Sequence, residues 1–464
     1  MDWPPWASTA TRSNANSRPD PANPHRSLTS FLIRGERLGR AVRREARLIP
    51  APDASPVASP HGHWRLVCLL IAGEAIFALP FHLPRFFRPQ LLEALSLSNT
   101  ALGDAFALYG VVAMLAYFPG GLLADRYPAR VLLATALWAT ALGGVLLASF
   151  PPPGVLGVLY AFWGLTTILL CWAALLRATR EWGGPLAQGR AFGLLEAGRG
   201  AVAAILANLA VFVLARAAEA GLGDEAALRL VVLFYSLTVL AAGALCWILL
   251  PAGTLAETPS AAPRTSTPRA LLRVPALGWH AALLVCAYCG YKSLDYATLY
   301  LDAALAIDAD EASRLFSLSA WLRPVAALAA GYLADRIGIS RMVSALFAVG
   351  ALATVALAAG VTASLGLVMI EFALVVLVVC GLRGIYFALL EEMHLPRELT
   401  GTAIGFVSVV GYLPDVFFAP LAGRILDAAP GLPGFSRLYA LLAAIFVAGL
   451  FCSQALRRQA RVGG

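Results

Sequence analysis

Two stretches of this 464-residue chain decide its fold: Gly121-Leu-Leu-Ala-Asp125-Arg126-Tyr-Pro-Ala-Arg130 and Gly331-Tyr-Leu-Ala-Asp335-Arg336-Ile-Gly-Ile-Ser-Arg341. Their aspartates stand 335 − 125 = 210 residues apart. A second match, Gly189-Arg-Ala-Phe-Gly193 with Gly401-Thr-Ala-Ile-Gly405, recurs at 401 − 189 = 212. Independent matches at nearly one offset imply two copies of one structural unit in the same orientation, related by an axis along a membrane normal.

The membrane follows from composition. Hydrophobic residues make up 59% of the chain and charged ones 13%, against about 25% charge in soluble domains, so a water-facing surface cannot be built. The apolar residues fall in runs close to the ~20 that a helix needs to cross ~30 Å of hydrocarbon. Helices and closed barrels alone satisfy their backbone in lipid, and the short alternating strands of a barrel are missing. Runs at 64–87, 100–124, 129–149, 155–179, 190–216 and 226–250, then 275–303, 312–334, 339–362, 364–392, 400–427 and 436–456, predict twelve transmembrane helices. The expected organisation is a basic N-terminal extension (1–60), a six-helix bundle (61–250), a polar central linker (251–274), a second six-helix bundle (275–456) and a tail (457–464). Within 1–60, Leu28, Phe31, Leu32, Leu38 and Val42 recur at helical spacing among arginines, which suggests an amphipathic helix on an anionic leaflet or a solvated tail.

Arginine bias in short loops sets the expected orientation. Arg126 and Arg130, Arg180, Arg264, Arg269 and Arg273, Arg336 and Arg341, and Arg457, Arg458 and Arg461 fall on one side, while the loops near 150–154 and 360–364 carry no charge. Both termini are therefore expected in the cytoplasm of a bacterial inner-membrane protein. The net charge of +8 is read as this inner-face bias rather than as a nucleic-acid surface. The seven cysteines all lie in apolar runs, and Cys286 and Cys289 form a CxxC without a partner pair, so they read as small buried thiols.

The Gly-x-x-x-Asp-Arg element, present after the second and eighth segments, resembles the signature of the major facilitator superfamily. The resemblance implies an all-α fold of two six-helix parallel repeats, alternating access, no enzymatic activity and no cofactor. It also assigns Gly121, Asp125, Arg126, Arg130, Gly331, Asp335, Arg336 and Arg341 to a conformational latch, with the glycines allowing close helix approach. Pro128 stands where the second copy has Gly338. The stretch from Gln188 to Gly200 and that from Gly401 to Asp415 resemble the sugar-phosphate-permease-like branch. Arginines on the first and seventh helices, usual in organophosphate exchangers, are replaced at mid-helix by Glu74 and Lys292.

Ionisable residues deep in such helices are costly and mark function. Lys292, Arg323 and His82 are read as attracting a substrate anion, with Tyr288, Tyr291 and Trp321 shaping the cavity. Tyr288, Lys292, Asp295 and Tyr296 share one helix face, and His82 matches Lys292 at the repeat offset (292 − 210 = 82). Glu74, Asp415 and Asp295 are read as proton-coupling, since desolvation favours a neutral carboxyl. Glu196, Arg199 and Arg383 are assigned to gating. The expected activity is secondary transport of a small organic anion by a monomer in the lipid bilayer, coupled to a proton or a counter-anion. An exporter of amphipathic cations and a transporter-like sensor are the alternatives. Nucleophile elbows, metal-spaced histidines and phosphate loops, the marks of an enzyme, are not found.

Overall fold

The computed structural model describes residues 60–184, 188–252, 275–360, 364–392, 405 and 407–462. The expected N-terminal amphipathic helix, nearly all of the central linker, and the second copy's Gly401 lie outside the described residues.

The described chain is helical. It runs through α1 (Pro60–Ala75), α2 (Leu83–Phe86), α3 (Arg88–Ala94), α4 (Asn99–Arg126), α5 (Ala129–Leu147), α6 (Pro153–Gly164), α7 (Ala173–Gly183), α8 (Gln188–Glu219) and α9 (Asp224–Leu249). After the linker come α10 (Pro275–Ser293), α11 (Ala297–Leu305), α12 (Ala309–Ser319), α13 (Leu322–Ile337), α14 (Ile339–Ala359), α15 (Leu365–Ile385), α16 (Leu389–Glu392), α17 (Pro414–Ala428) and α18 (Leu432–Val462). Among the described residues nine helical stretches are long and apolar enough to cross a membrane, and Gly62–Ala75 with Ala78–Phe86, bent by 42°, makes a tenth. The expected seventh and eighth segments are present but interrupted, at the 3₁₀ turn Leu294–Tyr296 and between Ser319 and Leu322. Those breaks fall where the polar residues are densest, and Pro80 and Pro84 accompany the bend of the first, as proline removes a helix hydrogen bond.

The two signature copies turn the same corner by different backbone routes. Gly338 sits at φ +94° between α13 and α14, a conformation that glycine alone adopts without strain. In the first copy Tyr127 and Pro128 are extended (φ −115° and −57°) and α5 starts directly after the proline.

Packing differs between the ends of the bundle. Where α4 begins, a Cβ on Gly103 would lie 2.5 Å from the Ala419 carbonyl oxygen, and one on Gly423 would lie 2.5 Å from that of Asn99. The Asp427 carboxylate accepts from the Asn99 and Thr100 amides at 3.1 and 2.7 Å, capping α4 from α17. Arg424 pairs with Asp104 at 3.1 Å. Fully buried Arg88 donates to Asn99 at 3.1 Å and stacks over Tyr296 at 4.2 Å. At the other end, no atom of the described residues comes within 4 Å of a Cβ placed on Gly121, Gly193, Gly331 or Gly405. The expectation that the signature glycines bring helices together therefore does not hold in this conformation. Close approach is instead made by Gly103, Gly110 and Gly423, which meet backbone.

Candidate functional site

A cavity of about 640 Å³ lies at mid-depth, walled by Phe77, Phe81, Tyr109, Tyr117, Trp172, Tyr288, Tyr291 and Tyr412. Its polar wall is Glu74, His82, Arg199, Lys292, Arg383 and Asp415. Each helix contributes through its local geometry. The kinked first segment presents Glu74 below the bend and His82 within it. The stripe on α10 presents Tyr288, Tyr291 and Lys292. Gly110 lets α4 approach so closely that its missing Cβ would lie 2.5 Å from the Asp415 carbonyl oxygen, which brings Asp415 to the wall.

Two charge networks occupy the wall. In the first, Glu74 meets Arg199 at 3.0 Å and His82 at 3.1 Å and is paired with Arg323, while Arg199 also meets Glu196 at 2.6 Å. In the second, Asp295 accepts from Arg85 at 2.6 Å and lies 3.7 Å from Lys292. Lys292 lies 3.3 Å from Asp415, and Tyr288 donates to both Asp415 oxygens at 3.1 Å. Lys292 also stands 4.3 Å over the Phe81 ring. Arg383 belongs to neither network. It stacks over Tyr291 at 4.1 Å, and among the described residues no carboxylate lies within ion-pair distance of it.

Buried pairs of this kind gain Coulomb energy but lose hydration, so an unbalanced member is expensive. Four guanidiniums (Arg85, Arg199, Arg323, Arg383) and the Lys292 amine face four carboxylates (Glu74, Glu196, Asp295, Asp415), and Glu196 is half exposed. The surplus cation is the Arg383 guanidinium.

The expected site residues are therefore largely brought together, with corrections. Trp321 is 45% exposed on the outside of the bundle and lines none of these cavities. Residues two apart on a helix differ by about 200° in direction, so Arg323 facing inward turns Trp321 outward. Arg323 is paired with Glu74 and does not line this cavity. Glu74 is not a lone desolvated carboxyl, since two guanidiniums and an imidazole meet it. Among the signature residues, Asp125 and Asp335 are exposed and form no ion pair with a described residue. Arg130 stacks over Trp247 at 4.5 Å, Arg336 over Tyr332 at 4.3 Å, and Arg341 reaches the Ile337 carbonyl at 3.4 Å.

Sequence reasoning missed Arg85 as a partner. The offset that relates His82 to Lys292 also relates Arg85 to Asp295, exactly 210 residues apart, and these two residues are in contact. The aromatic wall of Tyr109, Tyr117, Trp172 and Tyr412 carries no sequence signal that separates it from ordinary core.

Comparison with known proteins fixes the family. Residues 66–419 match the model described as Major Facilitator Superfamily. The chain belongs to that superfamily. Two curated relatives from Escherichia coli (strain K12) are inner membrane protein YqcE, 25% identical over 388 residues, covering 81% of this chain and 89% of that protein, and inner membrane protein YihN, 27% identical over 415 residues, covering 84% and 94%. A bacterial homolog of the human lysosomal transporter Spinster, in an inward-facing and occupied conformation, superposes with a TM-score of 0.68 at 13% identity over 86% of this chain and 98% of that one. The nucleoside transporter NupG superposes at 0.66 and 12% identity over 86% and 99%. At those identities the structures speak for the fold alone. The superfamily member described here is a multi-pass inner-membrane secondary transporter and not an enzyme.

Proposed function

We propose that this superfamily member carries a small organic anion through the 640 Å³ cavity by alternating access, with the anion seated on Arg383. The observation that carries this reading is the Arg383 guanidinium, stacked on Tyr291 at 4.1 Å with no carboxylate partner among the described residues. The other guanidinium and the amine on the wall are already matched: Arg199 by Glu74 and Glu196, Lys292 by Asp415 and Asp295. A planar guanidinium offers paired donors to a carboxylate, phosphate or sulfonate, and the aromatic rings suit an apolar body behind the acidic group. The carboxylates needed by a cation exporter, Glu74 and Asp415, are both engaged by basic groups, which favours the anion.

In this reading both termini are cytoplasmic, the helices of 61–250 and of 275–456 form two bundles that rock about the Arg85–Asp295 pair, and the end holding Asp427 is the outer, closed one. Lys292–Asp415 is the pair whose exchange with a proton or counter-anion couples transport.

The test is thermal stabilisation of the purified protein by carboxylates, phosphates, sulfonates, sugars, organic cations and nucleosides (the class named for one structural neighbour), beside Arg383→Ala. A ligand at a hundred times its Kd stabilises by about 2.7 kcal/mol. One anionic class should raise the melting temperature of the wild type and not of the variant, and the same class should enter proteoliposomes. Stabilisation by cations alone, or by anions equally in Arg383→Ala, would sink the proposal.

A further inference from the structure

Beside the main cavity lies a smaller one of about 400 Å³ that includes His82, Arg85, Phe86, Tyr291, Arg323 and Cys380 in its lining. His82 and Tyr291 line both, so one imidazole and one phenol ring separate them. The side cavity is lined by two guanidiniums and an imidazole and by no carboxylate. His82 and Arg85 are 3% and 6% exposed, and each keeps one nitrogen, His82 Nδ1 and Arg85 Nη2, that meets no described protein group. Their other nitrogens are committed: Arg85 Nε to Asp295 at 2.6 Å, Arg85 Nη1 to the Tyr291 hydroxyl at 2.8 Å, and His82 Nε2 to Glu74 at 3.1 Å. Buried polar atoms are nearly always partnered in folded proteins, and a charged donor without an acceptor is the most expensive exception. The unpartnered Arg85 guanidinium nitrogen on a carboxylate-free wall points to an anionic ligand, and His82 Nδ1 becomes a second donor to it once the ring is protonated.

We propose that this side cavity takes a small anionic group between Arg85, Arg323 and His82, and that the group enters together with a proton on His82. The inference rests on the anion-transport reading and adds a second anion position and its coupling group. The proton follows from the tautomer. Because Nε2 faces the Glu74 carboxylate it carries the hydrogen, which leaves a lone pair on Nδ1 in the neutral ring. A lone pair repels an anion, whereas an imidazolium donates from both nitrogens. The charged groups around the ring are Glu74 and Arg85 from its own segment and Arg323 from α13, with Arg199 one contact further through Glu74, Glu196 beyond Arg199, and Asp295 one contact further through Arg85. Arg85 and Arg323 oppose a third cation beside them, and an anion among the three removes that opposition. Anion and proton thus favour each other's binding, as linkage requires.

The anionic group has two sources, a free inorganic ion or the second acidic terminus of a solute whose first sits on Arg383. Tyr291 bridges the positions, with Arg85 at 4.3 Å and Arg383 at 4.1 Å from its ring centre.

The experiment uses the full-length protein in weakly buffered detergent solution, titrated with sodium chloride, propionate and succinate. Melting temperature and proton uptake, read with a pH indicator, are followed in the wild type, His82→Gln, Arg383→Ala and the double variant Arg85→Gln with Asp295→Asn. Glutamine keeps an amide donor for Glu74, and the double variant removes both charges of a pair, so misfolding of one leaves the other informative. Wild type should take up close to one proton per anion, with affinity falling about tenfold per pH unit above the imidazole's titration. His82→Gln and the double variant should take up none and show a flat pH profile. Chloride effects that survive Arg383→Ala but not His82→Gln identify a free inorganic ion. Succinate effects lost in both, with propionate effects lost only in Arg383→Ala, identify a two-headed solute. Binding in which neither chloride nor succinate brings proton uptake, or uptake unchanged in His82→Gln, overturns this inference and leaves the Arg383 reading standing. If no anion stabilises the wild type, both fall.

Discussion

At the end of the bundle where α4 starts, Gly103 and Gly423 are pressed against carbonyl oxygens of the facing helix, and Asp427 caps α4 across the contact. At the end where α4 stops, Gly121 and its repeat Gly331 have no described atom within 4 Å of where a Cβ would stand. Both ends carry glycines, aspartates and arginines, on α4 and α17 at one and on α4 and α13 at the other, so composition does not distinguish them. What differs is which glycines have backbone opposite. The comparison teaches that a latch motif and a formed contact are separate matters: among the described residues the signature glycines have no close neighbour here. The Arg85–Asp295 pair, 210 residues apart in sequence, joins the kinked first segment to the turn after α10.

The largest effect is expected at that pair. Arg85→Ala leaves Asp295 with Lys292 at 3.7 Å as its remaining basic neighbour, and an uncompensated buried charge costs about 3–5 kcal/mol. The double variant Arg85→Ala with Asp295→Ala should recover most of the loss. Chemical or thermal melts of the four proteins of the cycle measure it; a double-variant loss equal to the sum of the two single losses would show that the pair is not coupled.

Next come the glycines. Gly110→Val forces a side chain into the Asp415 backbone, and overpacking of this kind costs about 1–3 kcal/mol. Gly121→Val, in open space, should leave the melting temperature unchanged but hinder transport in proteoliposomes if the signature end closes during the cycle. A destabilised Gly121→Val with a tolerated Gly110→Val would invert the assignment of the ends. The two corners sharpen the contrast between repeats. Gly338→Ala places a side chain at φ +94° and should cost ~1 kcal/mol or more, whereas Pro128→Ala, in an extended conformation, should cost less.

The fold was legible because period and composition act over the whole chain. Twenty-residue apolar runs, an offset of 210 and arginine bias each accumulate over many residues. The charged cluster was legible by its cost, since Glu74, Lys292, Asp295, Arg323, Arg383 and Asp415 each stand in an apolar run that must hide them. Their partners were not. Pairing depends on helix rotation and on where helices break, and the break before Leu322 decides that Arg323 turns in and Trp321 out. Arg85 was within reach, since subtracting 210 from 295 names it. Tyr117, Trp172 and Tyr412 were not, because an aromatic on a cavity wall and one in a packed core read alike in a chain this apolar.

The smallest effect concerns the cap that joins α17 to α4. Asp427 is exposed, and it accepts from two amides at the start of α4, one at 2.7 Å. A carboxylate there satisfies donors that a helix leaves unpaired and sits at the positive end of its dipole. Removing an N-cap acceptor costs about 0.5–2 kcal/mol, too little to unfold a bundle of this size but enough to loosen one seam. Asp427→Ala should therefore leave the global melt nearly unchanged while amides 99–103 exchange hydrogen several-fold faster. The neighbouring pair Arg424–Asp104, exposed on both sides, contributes only about 0.2–1 kcal/mol, so Asp104→Asn should shift the same amides less. If α4 closes this seam in the way its contacts indicate, Gly121→Val should not alter exchange at 99–103, while Asp427→Ala should make the cavity reachable from that side by a thiol reagent directed at a cysteine placed at Phe81. Exchange that rises at Gly121→Val but not at Asp427→Ala would mean that the seal depends on the signature end rather than on the cap.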